Sequence, residues 1–135
     1  MTATATGTFD VKVVPLPADE KVVGVAVGRM SIDKQFHGDI IATSKGEMMT
    51  AMTPVKGSAG YVAIEMVDGT VHGKHGTFTL MHHATMKAGG EFAMRIVVVP
   101  DSGTNELAGL SGALEIVIEG GIHSYRFDYS LPDAV

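Results

Sequence analysis

A period of two runs through almost the whole chain, and it constrains the fold more than any other feature. In residues 6–14, TGTFDVKVV, Phe9, Val11 and Val13 fall on one face while Thr8, Asp10 and Lys12 fall on the other. Residues 22–36 continue the pattern, with Met30, Ile32 and Phe36 alternating against Arg29, Ser31, Asp33 and Gln35. The same signal returns in 61–67, 76–86, 91–99, 113–119 and 123–131. Alternation built on Val, Ile, Thr and Phe marks strands with one buried face. Turn residues separate these runs: Pro15 and Pro17, Gly38–Asp39, Pro54, Asp68–Gly69, Gly89–Gly90, Pro100–Asp101 and Gly120–Gly121. Asp68–Gly69 and Gly120–Gly121 read as the strongest hairpin turns, because such turns need positive φ at their centres.

No capped segment of period 3.6 reaches helical length. The best candidate, residues 105–112 (NELAGLSG), holds two glycines and can form one helical turn at most. About eight short strands without helices to cover a sheet must hide their edges by closing or sandwiching. The expected fold is therefore all-β: one antiparallel eight-stranded barrel forming a single domain over residues 1–135. Glycines inside strands fit the tight coiling of a closed sheet.

Composition narrows the function classes. The 135 residues carry 10 basic against 15 acidic side chains, for a net charge of −5, which gives nucleic acid or an anionic membrane no electrostatic invitation. The chain has no cysteine, so thiolate chemistry, disulfides and Cys-type metal sites are excluded. No apolar run approaches the roughly 18–20 residues of a membrane-spanning helix, and no leader-like start is evident, so a cytoplasmic protein is expected. No phosphate loop or nucleophile elbow occurs, and nothing calls for a cofactor.

Several longer rows carry a family likeness: GRMSIDKQFHGD at 28–39, SKGEMM at 44–49, KGSAGYVAIE at 56–65, GTFTLMHHATM at 76–86, VVPDSGTNELAGLSG at 98–112 and HSYRFDYSLP at 123–132. Together they resemble a bacterial family of unknown function whose members adopt an allene-oxide-cyclase-like, or lipocalin-like, β-barrel. The resemblance covers nearly the whole chain and implies an eight-stranded antiparallel barrel with a central cavity, assembled as a homodimer. It implies no reaction, since a shared barrel does not transmit function. Where the family pattern implies Leu-Glu after Gly38–Asp39, this chain has Ile40 and Ile41; where it implies small residues, Met52 and His83 stand.

Candidate chemistry starts at His82–His83. Adjacent strand residues face opposite ways, so the two cannot chelate one metal. His82 shares its face with Phe78, Leu80 and Met86, the more apolar side, and is a candidate general base or polar anchor inside a cavity. The plainer reading is a hydrogen-bonded core histidine, and His83 is the weaker catalytic candidate. His72 and His75 flank a turn and read as solvated, with no third metal ligand evident. Glu65 lies in a strand apolar on both faces, so it needs a partner or becomes protonated. Arg95, a lone cation in EFAMRIVVV, is the economical partner. Glu47 is a second acid, beside two methionines. Tyr125, Phe127 and Tyr129 share one side of the last strand and read mostly as core, although a tyrosine hydroxyl could hold a ligand.

Three readings follow from these residues. In the first, the barrel binds a hydrophobic or aromatic small molecule, lined by Tyr61, Met52, Phe78, Leu80, Met94, Arg95, Tyr125 and Phe127. In the second, the same cavity is a cofactor-free isomerase, cyclase or lyase using His82, His83, Glu65 or Glu47 as base. In the third, the barrel is packed solid and acts through a dimer face. Complete pairing of the inward acids and histidines would favour the binder over the enzyme.

Overall fold

The computed structural model describes residues 2–17 and 26–133. Eight strands follow one another around a closed antiparallel barrel: β1 (Thr2–Leu16), β2 (Ala26–Gly38), β3 (Ile40–Met52), β4 (Ala59–Val71), β5 (Lys74–Lys87), β6 (Glu91–Val98), β7 (Ser111–Glu119) and β8 (Ile122–Ser130). The start of the alternating stretch at 22–36, Gly24 included, lies outside the described residues. Within the rest, the strands expected from period two are present, and β1, β4, β5 and β7 are longer than the alternation suggested.

Two local expectations change. Residues 40–52 form a full strand, although their alternation is weak in the sequence. Asp68–Gly69 is no turn: both residues lie within β4, and the chain reverses at His72–Gly73, both at positive φ. Gly69 is needed because a Cβ there would stand 2.2 Å from the Ile41 carbonyl oxygen, so its role is close strand approach. Gly120–Gly121 turns as expected, with φ of 57° and 78°.

One face of every strand points into the barrel, and its two ends differ. At one end Phe78, Phe127 and Tyr129 stack in sequence, with ring centroids 5.9 and 5.2 Å apart. The Tyr125 hydroxyl accepts from the Ile40 amide and donates to the His37 carbonyl, both at 2.8 Å, tying the β2–β3 corner. Residues 99–110 plug this end with Leu107 and Leu110, both buried, around a short 3-10 turn at Asn105–Leu107. That segment also completes the edge of β5. The Thr79 amide donates to Ser102 Oγ at 3.0 Å and the Thr77 amide to Thr104 Oγ1 at 2.9 Å. These side chains supply acceptors to the β5 edge beyond the end of β6. Asp101 and Asn105 take the left-handed backbone that short polar residues tolerate.

At the other end the inward-parity side chains are apolar yet remain exposed. Val13, Met52, Met86, Phe92 and Ile118 form this rim, and Met30, Met48, Tyr61 and Met94 sit half-buried one or two layers below it. Among the described residues, the barrel is thus sealed at one end and open at the other.

Candidate functional site

Four consecutive strands each deliver one polar side chain to the interior below that open end. Lys34 comes from β2, Ser44 from β3, Glu65 from β4 and His82 from β5, and all four are buried. They meet on one carboxylate. Glu65 Oε1 accepts from Lys34 Nζ at 2.9 Å and lies 2.5 Å from His82 Nε2, while Oε2 accepts from Ser44 Oγ at 2.6 Å. Gly46 stands directly across from Glu65. A Cβ there would lie 2.1 Å from the Ile64 carbonyl oxygen, so only glycine lets β3 close on β4 at this level.

The electrostatics follow from these contacts. Burial alone drives the Glu65 carboxyl pKa upward, but the His82 hydrogen bond, the Lys34 charge and the Ser44 hydroxyl outweigh it and hold it at about 2. The carboxylate is therefore ionised at neutral pH and can only accept. His82 Nε2 must then be the donor to it. The Lys34 ammonium also lies over the Phe9 ring at 4.9 Å and the Phe36 ring at 5.8 Å, a cation–π environment that helps to hold a buried cation. No described buried side-chain nitrogen or oxygen lacks a hydrogen-bond partner.

The expected Glu65–Arg95 pair does not form. Arg95 sits beside His83 on β6, and both side chains are exposed on the outer wall, away from the interior carboxylate. Strand parity separates them: 65 and 82 point in, 83 and 95 point out. Glu47 is likewise outside, paired with Arg29, so neither Glu47 nor His83 reaches the interior. The Glu65 carboxylate is fully engaged by Lys34, Ser44 and His82. Met52 lies at the rim, on the inward side but more than half exposed. Phe78, Leu80, Tyr125 and Phe127 are buried in the sealed core and do not line the open end. Tyr61 and Met94 do, with the Tyr61 hydroxyl 4.0 Å from Met94 Sδ. Burial raises the Tyr61 phenol pKa, and the Glu65 charge adds to this.

Lys34 and Ser44 were the members missed from sequence. The signal was present, since Lys34 shares parity with Ile32 and Phe36, and Ser44 with Ile40 and Ala42. Among the described residues no group of three or more His, Cys, Asp or Glu side chains is placed to hold a metal ion. His72 instead engages Tyr129, its Nδ1 2.5 Å from the hydroxyl, with Asp39 Oδ2 3.4 Å from Nε2.

Residues 5–129 match the model of a protein family of unknown function, DUF3224. The chain belongs to this family. A crystal structure of a DUF3224 protein of unknown function from Shewanella oneidensis MR-1 is 46% identical, with a TM-score of 0.91 over 98% of this chain and 100% of that one. No curated protein matches the chain. The DUF3224 match and the similar crystal structure bear on the barrel; neither brings a reaction or a ligand to the Glu65 cluster.

Proposed function

We propose that this DUF3224 barrel binds a hydrophobic or aromatic small molecule through its open end. One observation carries the reading: inward-facing apolar side chains are buried at the sealed end and exposed at the other. Apolar surface that no described element covers is what a guest would cover. Methionines at 30, 48 and 94 give this region adaptable walls. The Tyr61 hydroxyl, set against a thioether, is a donor available to a carbonyl or carboxylate of the guest. An eight-stranded barrel with one open end also suits the allene-oxide-cyclase-like type that the sequence resembles.

Complete pairing at Glu65 supports binding over catalysis. A second reading has one specific feature in its favour, because a His82 ring held by an ionised carboxylate leaves Nδ1 for cofactor-free proton transfer. The deciding experiment titrates the protein with an apolar naphthylamine fluorophore and follows displacement by aromatic and fatty carboxylates. Wild type is expected to bind one equivalent. Met94→Trp, which adds bulk at the open end, is expected to abolish binding while the far-UV circular dichroism stays unchanged. No saturable binding by wild type, or full binding by Met94→Trp, would overturn the proposal. Exchange of a bound ligand's carbon-bound protons with deuterium, lost in His82→Gln, would move the reading to the enzyme.

A further inference from the structure

The barrel wall does not close evenly. Around most of the circumference neighbouring strands pair in continuous runs: β5 with β6 from Leu80–Val98 to Lys87–Glu91, and β7 with β8 from Ser111–Ser130 to Glu119–Ile122. Between those two hairpins, β6 and β7 pair at Val97–Ala113 alone. From there to the open end, the β6 edge at 91–96 and the β7 edge at 114–119 have no strand partner among the described residues. The sequence supplies a reason. Continuing the Val97–Ala113 register toward the rim would set Arg95 beside Glu115, Ala93 beside Val117 and Glu91 beside Glu119. The last of these puts two like charges directly opposite one another, which works against pairing. The side chains along the seam stay open accordingly: Phe92, Val117 and Ile118 are 56, 47 and 62% exposed.

We propose that this seam takes an extended peptide as an added strand, a partner separate from the small-molecule guest of the interior. Unpaired strand edges present N–H and C=O groups at a fixed spacing, and what matches that spacing on both sides at once is another strand. A strand laid in the seam runs antiparallel to one edge and parallel to the other, and both arrangements pair. The open stretch takes about five residues, or ~17 Å of extended chain. Alternation then fixes the kind of peptide. Its inward side chains meet Phe92 and Met94 on β6 and Ile116 and Ile118 on β7, so those positions are apolar. Its outward side chains lie between Ala93 and Val117 and, at the rim, between Glu91 and Glu119. No ion pair engages either glutamate among the described residues. A lysine or arginine at that rim position would sit between two carboxylates and remove their repulsion. The partner is therefore an extended segment of alternating apolar and polar residues with a basic residue at its rim end.

Fluorescence anisotropy on the full chain tests the proposal with a labelled six-residue peptide, a valine–threonine repeat carrying lysine at either end in turn. Wild type is expected to bind one of the two orientations saturably with micromolar affinity, and glutamate in place of the lysine to weaken it at least tenfold. Glu119→Lys, at an exposed rim position, is expected to abolish that preference with unchanged far-UV circular dichroism. The chain has no cysteine, so Ala93→Cys/Val117→Cys can lock the seam by a disulfide. Oxidised protein is expected to lose the peptide and to recover it on reduction. Thiols too far apart for a disulfide would be bridged by a short bismaleimide, with loss of the peptide again expected. No saturable binding by wild type, equal affinity for the lysine and glutamate peptides, or full binding by the cross-linked protein would overturn the proposal. Naphthylamine fluorophore binding that the cross-link abolishes, with no peptide bound, would overturn it in favour of a small-molecule guest lying in the seam.

Discussion

Replacing Glu65 by Gln removes the negative charge while nearly preserving shape, and the structure sets the cost. Lys34 then keeps its positive charge in the interior with only aromatic faces and a neutral amide for company. Breaking a buried pair by removing one partner costs about 3–5 kcal/mol, because the surviving charge is uncompensated. The wild-type side can be approached independently. A carboxyl shifted from 4.5 to about 2 contributes about 3 kcal/mol at neutral pH, at about 1.4 kcal/mol per unit. Both routes converge on about 3 kcal/mol or more, a loss of roughly 10 °C in Tm for a domain of this size. Because the folded pKa lies below the unfolded one, this contribution is fully present above about 4.5 and is lost as pH falls toward 2. Urea denaturation of wild type and Glu65→Gln from neutral pH downward should show a wide gap in midpoint that narrows through that window. The double variant Lys34→Met/Glu65→Gln should recover part of the loss at neutral pH, since it leaves no uncompensated cation and keeps an amide for Ser44 and His82. A Glu65→Gln variant within 1 kcal/mol of wild type, or a gap independent of pH, would refute the reasoning.

Other positions give sharper local tests. Gly46→Ala should destabilise by more than ~2 kcal/mol in urea denaturation, because its Cβ would stand 2.1 Å from a carbonyl oxygen of rigid backbone. Tyr125→Phe should cost about 1–3 kcal/mol by thermal melting, since the buried Ile40 amide loses its acceptor. His82→Ala should destabilise by at least ~1 kcal/mol through the lost carboxylate contact, whereas His83→Ala should leave binding of the apolar fluorophore unchanged.

How far the sequence spoke can be traced residue by residue. Parity alone put His82 on the inner wall beside Phe78 and Leu80, and the lone acid of YVAIEMV pointed to a buried carboxylate at Glu65. The partner was misplaced because Arg95 was the lone cation of a largely apolar strand, and only register and closure tell whether it faces inward. Counting parity strictly through IDKQF would have exposed Lys34, whose neighbours Ile32 and Phe36 are inward. The turn between His72 and His75 was legible, but Asp68–Gly69 was read as a stronger one, since a glycine needed for close strand approach looks the same as one needed for a turn. The two unlike ends of the barrel could not be read locally. They depend on how residues 99–110 fold back over one end, and on which inward side chains they reach. The apolar outward side of β4, with Val62, Ile64 and Met66 exposed, was also concealed: β4 is apolar on both faces, and period two cannot say which side meets water.

Methyl chemical shifts of the methionines test the central claim most directly, because those among the described residues are distributed between the open end and the outer wall. Specifically labelled methionine methyls would be followed as an apolar carboxylate is titrated into the protein. Binding at the open end predicts saturable shifts at Met30, Met48 and Met94, with Met49, Met66 and Met81 on the outer wall unmoved. Shifts confined to Met49, Met66 and Met81, or none at any methionine, would contradict it.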